Sequence, residues 1–390
     1  MRFIQFADVH LDSVIGGAIG LPAEKKAVLR QDLRSAVTRA CALAVENRAE
    51  LVLIPGDLFD YESLASDTPS FLADAFREIA PARVFIAPGN HDSLRPGSPY
   101  VGRSGATWPD NVHVFTRPEF ETVTLGELDC TVTGMGHAHR GLTDRLIANP
   151  ISGERRTVNV LLFHGSRDGY RPSDKETVIP FSDAELLAQG FTYSAIGHYH
   201  SHAVIEDELG QPRASYSGCI QGRGLDETGE KCVVVGEIGA DGSVALNTIE
   251  AAARRVVSVS VSLTGVTSGP QALERIGNAI TASGARECDL VQVALGGAVA
   301  PSLDLDTSAL ESSSRHFHLS VSRSRLEPDY DLAALSAESA ASPLRSAFVR
   351  RMLELQDACA EEDERRALRD AVYYGLYALD GRRLEPRDAD

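Results

Sequence analysis

Residues 51–60 read Leu-Val-Leu-Ile-Pro-Gly-Asp-Leu-Phe-Asp. Four apolar residues form a strand that can be buried on both faces. Pro55-Gly56 then breaks the strand, and the carboxylates Asp57 and Asp60 follow at once. An apolar strand that runs through a glycine turn into acid belongs to a layered α/β fold whose chemistry sits beyond the strand C-termini.

The same plan recurs on both sides of this stretch. Upstream is Phe6-Ala7-Asp8-Val9-His10. Downstream come Ala87-Pro88-Gly89-Asn90-His91-Asp92, Leu162-Phe163-His164-Gly165 and Ile196-Gly197-His198-Tyr199-His200. Asp8 and His10, two apart in an extended chain, point the same way, and His198 and His200 repeat the spacing. Glycines before Asp57, Asn90 and His198 allow a sharp exit from the strand and close backbone approach. Together the motifs offer two Asp carboxylates, one Asn carbonyl and four or five imidazoles. That exceeds the four ligands of one zinc ion and fits two ions of higher coordination with a shared bridge. A thiolate-free set of O and N donors leans towards manganese, with iron and zinc open. Two such ions could clamp a phosphate and activate water.

Composition agrees with this reading. The chain has 390 residues, 43% hydrophobic and 24% charged, which predicts two to three folded domains and excludes a disordered or fibrous chain. No stretch approaches the ~18 apolar residues of a membrane span. The N-terminal residues lack the apolar run of a signal peptide. Six scattered cysteines fit a reduced, cytoplasmic protein. Against 55 acidic residues stand 38 basic ones, a net charge of −17. Such a balance argues against a protein that simply coats nucleic acid, yet bound cations can reverse a local potential.

Strands are expected at Arg2–Phe6, Leu51–Ile54, Arg83–Ala87, Val158–Phe163 and Tyr193–Ile196, with helices from Ala23 to Asn47 and after Pro69. Residues 232–249 read as a hairpin turning at Asp241-Gly242. Beyond Ala251, strands at Val256–Leu263, Leu290–Leu295 and His316–Val321 alternate with helices, the first at Pro270–Ala282. The chain then turns helical, with apolar stripes Leu344, Phe348, Met352, Leu355 and Leu368, Val372, Leu376, Leu379. Glu361–Arg365 and Glu362–Arg366 have i, i+4 spacing. The domains expected are therefore 1–252, 253–328 and 329–390.

The five motifs, taken together, resemble the signature of the calcineurin-like metallophosphoesterases. Phe-Ala-Asp-Val-His-Leu-Asp, Gly-Asp-Leu-Phe-Asp, Gly-His-Tyr-His and the segment Tyr216 to Arg223 are similar, more narrowly, to DNA-repair exonucleases of the SbcD and YhaO type. The resemblance implies an α/β, layered α+β fold: a β-sandwich flanked by helices, a small βαβαβ capping domain and a helical C-terminal tail. It implies that Asp8, His10 and His200 hold one metal, that Asn90, His164 and His198 hold the other, and that Asp57 bridges them. His91 would face the scissile phosphate, stabilising the transition state or protonating the leaving oxygen. Asp60 would either orient His91 or serve only the loop. The implied cofactor is a pair of divalent ions, Mn²⁺ by preference. The implied partners are DNA, a second copy of the chain, and an SbcC-like coiled-coil ATPase docked on the C-terminal helices.

Other residues weigh less. Cys219 reads as a packing residue, His202 as a surface residue, and His316 and His318 likewise. His137 and His139 mimic Gly-His-x-His but lack a spare Asp or Asn motif to complete a second site. Arg95, Arg103, Arg140, Arg167 and Arg223 are the cations expected near a phosphate. No Walker motif is present, so ATP dependence would require another chain. A metallophosphoesterase acting on a small phosphodiester or nucleotide is the alternative function, and a non-catalytic ATPase scaffold the third.

Overall fold

The computed structural model describes residues 1–13, 15, 21–101, 108–170, 175–303, 305–337 and 343–381. The chain divides into two compact units, Met1–Arg255 and Val256–Asp390.

The first unit is built on two six-stranded sheets. One runs in the order Val244–Glu250, Cys232–Ile238, Arg2–Gln5, Leu51–Ile54, Arg83–Ile86, Val112–Val114. The other runs Glu121–Leu125, Cys130–Gly134, Val158–His164, Tyr193–Gly197, Pro212–Tyr216, Ala203–Glu206. Leu51–Ile54 is buried at all four positions, as its unbroken apolar run requires. Phe3, Leu53 and Phe85 of one sheet and Val132, Leu162 and Ala195 of the other share a single apolar cluster, so the sheets pack face to face. Gln5 crosses this layer. Its Nε2 donates to Ser215 O at 2.8 Å, and its Oε1 accepts from the Tyr193 hydroxyl. Both partners leave the amide satisfied despite full burial.

Helix Ala23–Glu46 buries Leu29, Leu33, Val37 and Leu43, the stripe expected from their spacing. Asp32 on the same helix is buried too and takes Arg254 Nε at 2.7 Å. The second expected helix is Thr68–Glu78, with its proline in the first turn. The hairpin Cys232–Ile238, Val244–Glu250 turns through Gly242 at φ +78°. Leu51–Ile54 lies parallel to both of its neighbours, and Val158–His164 and Tyr193–Gly197 are parallel to each other. The motif loops therefore leave the two sheets at one common edge.

The second unit carries a parallel sheet of Val256–Ser262, Leu290–Val299 and His318–Pro328, in that order, with helices Gly269–Ala282 and Ser308–Ser313 as crossovers. The last strand begins at His318, not His316. His316 instead gives its Nδ1 to Arg286 O at 2.9 Å, which keeps it in the loop. Helices Leu332–Ala337, Pro343–Ala358 and Glu362–Leu379 follow. Their cluster centres on Val349, Val372 and Leu376, with Phe348 and Met352 beside them. Leu344 and Leu379, expected in the stripes, are 69% and 42% exposed. The partners Tyr330, Leu332 and Leu335 turn the first stripe onto Val349. The acidic first turn of the last helix also pairs differently. Glu362 meets Arg365 at 2.8 Å and Arg369 at 3.7 Å, so i, i+3 spacing takes the place of the expected Glu361–Arg365 pair. No described helix is long and apolar enough to cross a membrane.

Candidate metal centre

Four of the seven expected ligands leave ordinary backbone conformations. Asp8, His10, Asp57 and His198 have φ of 53°, 50°, 53° and 118°. Asp8 and His10 thus take left-handed conformations, so the alternation of an extended strand does not set their directions. Each such residue costs of order 1–3 kcal/mol, and such outliers collect where side chains must be aimed. Two glycines make the crowding possible. Gly56 itself has φ +91°, and a Cβ there would lie 2.7 Å from Gly89 N and from His164 Nδ1. A Cβ on Gly197 would overlap Pro55 O.

The side chains form two adjoining donor groups. Asp8, His10 and His200 present donor atoms within 4.8 Å of one another, and so do Asp8, Asp57 and His164. Asp57 Oδ2 lies 3.6 Å from His10 Nε2 and 3.4 Å from His164 Nε2, between the groups. Asn90 Oδ1 joins the second group, 2.9 Å from His164 Nε2. The His164 and His198 rings lie edge to face, 5.2 Å apart. Asp8 is common to both groups, beyond its expected place in one.

Each imidazole is tied at one nitrogen, which leaves the other for a ligand. His10 Nδ1 faces Asp60 Oδ1 at 2.9 Å, His164 Nδ1 faces Pro55 O at 2.9 Å, and His200 Nδ1 faces Glu227 Oε1 at 2.6 Å. All three offer Nε2. His198 is reversed: its Nε2 faces Glu176 O at 2.9 Å, leaving Nδ1. Burial pushes His10 down to about 3 and His198 to about 4, and lowers His164 and His200 as well. These rings are neutral near pH 7 and their lone pairs are available.

The carboxylates show the opposite stress. Burial and the neighbouring Asp57 charge raise Asp8 well above the usual carboxylate range. Burial would raise Asp57 too, but His164, His10 and His91 hold it well below its usual value. Two buried carboxylates among neutral imidazoles call for cations. The Lys175 ammonium already lies against this cluster, 2.7 Å from His200 Nε2. The donor set therefore fits divalent ions in chemistry and in placement.

His91 stands beside the ligands. Its Nδ1 is 2.9 Å from Asp60 Oδ1, the same oxygen that meets His10. Asp60 thus holds His10 and His91 through one oxygen, and more than its own loop depends on it. Burial opposes the charge on His91, yet the bond to Asp60 and the charges of Asp57 and Asp60 raise its pKa overall.

Several residues were not assigned from sequence. Asp92 is fully buried and accepts from Gly89 N (2.6 Å), Leu58 N (2.8 Å), Asp57 N (3.1 Å) and the Tyr100 hydroxyl (2.9 Å). It braces the Asp57 and Asn90 loops against each other. Glu227 binds both His200 and Arg223. Arg223, expected near a phosphate, is thus tied to Glu227, which no sequence motif singled out.

A cleft of 630 Å³ opens over the ligands and carries the cations Arg140, Lys175, Arg223 and Lys231. A second cleft of 480 Å³ adjoins it and shares Asn90, His91 and Arg140. Arg95 and His139 line this second cleft. Arg167 lines neither, because Asp183 holds it at 2.5 Å. Arg103 lies outside the described residues. His137 is buried and supports His164 through its backbone carbonyl at 2.8 Å. His202 is exposed and faces Tyr216 O at 2.8 Å. The Cys219 thiol, though close to His200 and Glu227, is pushed up by burial to about 12 and stays protonated.

Residues 1–202 match the calcineurin-like phosphoesterase family. The chain belongs to that family. A calcineurin-like phosphoesterase is a metal-dependent hydrolase, and a dimetal site is typical of the family. The chain is 28% identical over 236 residues to the uncharacterized metallophosphoesterase YhaO of Bacillus subtilis (strain 168). That match takes in 59% of this calcineurin-like chain and 56% of the length of YhaO. Among solved structures, a dimetal phosphatase from Danio rerio is similar at 12% identity, covering 64% of this chain and 96% of that one, with a TM-score of 0.39. A purple acid phosphatase from yellow lupin (Lupinus luteus) seeds is similar at 13% identity, covering 64% and 51%, with a TM-score of 0.37.

Proposed function

We propose that the chain hydrolyses DNA phosphodiesters at a two-metal site, as an exonuclease or endonuclease of DNA repair. The observation that carries this reading is the place of His91. It stands where two clefts meet, so a substrate can extend on both sides of the bond to be cut. A phosphomonoester would need only one of them.

When bound, two divalent ions supply Lewis acidity at the phosphoryl oxygens and an activated water, and the O and N donors favour Mn²⁺. The chain's own residues do the rest. Asp60 accepts the Nδ1 proton of His91 in a hydrogen bond and so turns Nε2–H outward. Water forms the new bond to phosphorus, and the bond to the leaving alcohol breaks. His91 gives its proton to the departing oxygen, and the proton from water passes to solvent. Arg140, Lys175 and Arg223 offset phosphate charge in the main cleft. The direction of the His91 shift suits a general acid, since it keeps more of the ring protonated near neutrality.

The acidic balance, net −17, favours a second reading in which the substrate is a small phosphodiester or nucleotide. Under the first reading, DNA is held by a homodimer and by an SbcC-like coiled-coil ATPase in the cytoplasm. The exposed Leu344 and Leu379 on the C-terminal helices support such a docking role.

The test is a Mn²⁺ titration with linear, end-labelled duplex DNA, with a small chromogenic phosphodiester alongside and His91→Gln as the variant. Metal-dependent loss of DNA, abolished by the variant, is the expected result. Turnover of the small ester with DNA left intact would move the function to the second reading. Co-purification with the ATPase and the mass in solution test the partners.

A further inference from the structure

The second cleft contains none of the histidine ligands and no part of Asp8 or Asp57, yet it reaches His91 and Asp60. His91 lines both clefts, so one ester group of the phosphate can extend into the main cleft and the other into this one. We infer that this cleft binds the base of a nucleoside esterified to the phosphate at the main cleft, with Tyr61 and Arg95 as its stacking platform. The inference rests on the nuclease reading and deepens it.

The Arg95 guanidinium lies 3.4 Å from the centroid of the Tyr61 ring. Both are held rigidly. Tyr61 N donates to His91 O at 3.3 Å, its hydroxyl donates to Pro96 O at 3.3 Å, and Arg95 N donates to Ser93 O at 2.9 Å. Position 97 is glycine at φ +86°, and a Cβ there would press on the Tyr61 hydroxyl at 2.7 Å. The loop is shaped around this ring.

Arg95 also differs from the other arginines tied down in this unit. Arg34, Arg145, Arg167 and Arg223 each grip a carboxylate. Arg95 has no carboxylate partner among the described residues, so no ion pair turns its guanidinium away from the Tyr61 ring. A planar cation lying over a phenol ring leaves an outer face on which any base can stack. His139 and Arg140 line the same cleft, where Arg140 also reaches the main one.

The test uses the full chain loaded with Mn²⁺ and two probes, dAMP and 2-deoxyribose 5-phosphate, which share the phosphate and differ in the base. Calorimetric titration should give dAMP an affinity about tenfold higher, the scale of one base stacked on one side chain. Arg95→Ala and Tyr61→Ala should bring the ratio of the two affinities close to one. Arg95→Lys should lose most of it as well, because it keeps the charge and removes the plane. Tyr61→Phe keeps the ring and should retain the ratio, which guards against loss through misfolding. Equal affinities in the wild type would overturn the inference, as would variants that weaken both probes in proportion. DNA degradation with no preference for dAMP would overturn the subsite and leave the nuclease reading standing. A preference for dAMP with no DNA degradation would overturn the nuclease reading and leave a nucleotide site.

Discussion

The metal centre and the second unit's sheet put two kinds of residue under opposite constraints. In the sheet Val256–Ser262, Leu290–Val299, His318–Pro328, each buried side chain does one thing: it fills space among its neighbours. Ile276 and Val293 could be exchanged for other apolar residues of like volume at small cost. At the metal centre almost every group is held against its preference. Asp8 is a carboxylate without water, His10 and His198 are imidazoles that cannot take up protons, and four ligands sit at positive φ. Packing thus governs the one region and chemistry the other, and the two should respond differently to the same kind of substitution.

The largest effect is expected where the two donor groups meet. Asp57→Ala should reduce phosphodiester hydrolysis by at least about 10³-fold, the scale on which loss of a central catalytic group is felt. Metal content, measured on the purified protein, should fall with it. Without metal, Asp8→Asn should be no less stable than the parent, since burial and the Asp57 charge disfavour the ionised Asp8. A marked loss of thermal stability in metal-free Asp8→Asn would break the contrast drawn above.

Ile276→Ala is the counterpart in the second unit. Ile276 is fully buried on helix Gly269–Ala282, and its truncation should cost about 2–4 kcal/mol by removing apolar contact and leaving a cavity. Denaturant unfolding reads this directly. Protein that remains folded should keep its metal affinity. If Ile276→Ala instead cost under ~1 kcal/mol, the sheet would not be the packed core described here.

Glu227→Gln tests the support behind a ligand. Glu227 holds His200 Nδ1 at 2.6 Å and is itself held by Arg223 at 2.8 Å. Removing its charge should weaken metal binding about 10–100-fold, as is usual for the carboxylate behind a metal-bound histidine. Equilibrium competition with a chelator gives the number. Unchanged affinity would make Glu227 a partner of Arg223 alone.

These residues also mark what can be read from sequence and what cannot. The candidate ligands Asp8, His10, Asp57, Asn90, His164, His198 and His200 are legible as a group because each sits within a few residues of a strand end. Strand, glycine and ligand then occur in one short window. Glu227 was not legible, since 27 residues separate it from His200 and only the tertiary fold brings them together. Asp92 stood inside a quoted motif, but its role lies in four donors contributed by two loops, which no spacing encodes. Arg167 failed in the reverse direction: it is near the motifs in sequence, and Asp183 takes it away from the cleft. Helical stripes were legible in period and, at Val372 and Leu376, in phase; their ends Leu344 and Leu379 fall outside the buried face. The exposed Leu344 and buried Val349 differ only in which face the neighbouring helices cover.

The smallest expected effect is a displacement along the pH axis, and it bears on the one oxygen that serves both a ligand and the proton donor. Asp60 Oδ1 lies 2.9 Å from His91 Nδ1 and raises the pKa of that ring. A raised pKa favours the protonated ring, so a reaction that needs His91 as an acid proceeds fully below that pKa and declines as pH rises through it. Asp60→Asn removes the charge and keeps an oxygen in place. The declining limb of kcat/KM should then move to lower pH, by up to about one unit, a differential interaction of about 1.4 kcal/mol between the two protonation states. The profile distinguishes this from damage to the metal site through His10, which would lower the whole curve without moving its limb. A limb that stays in place while the plateau falls would assign Asp60 to His10 alone. A limb that rises with pH and moves to lower pH in the variant would mean that His91 works in its neutral form, and the proton for the leaving oxygen would have to come from another group.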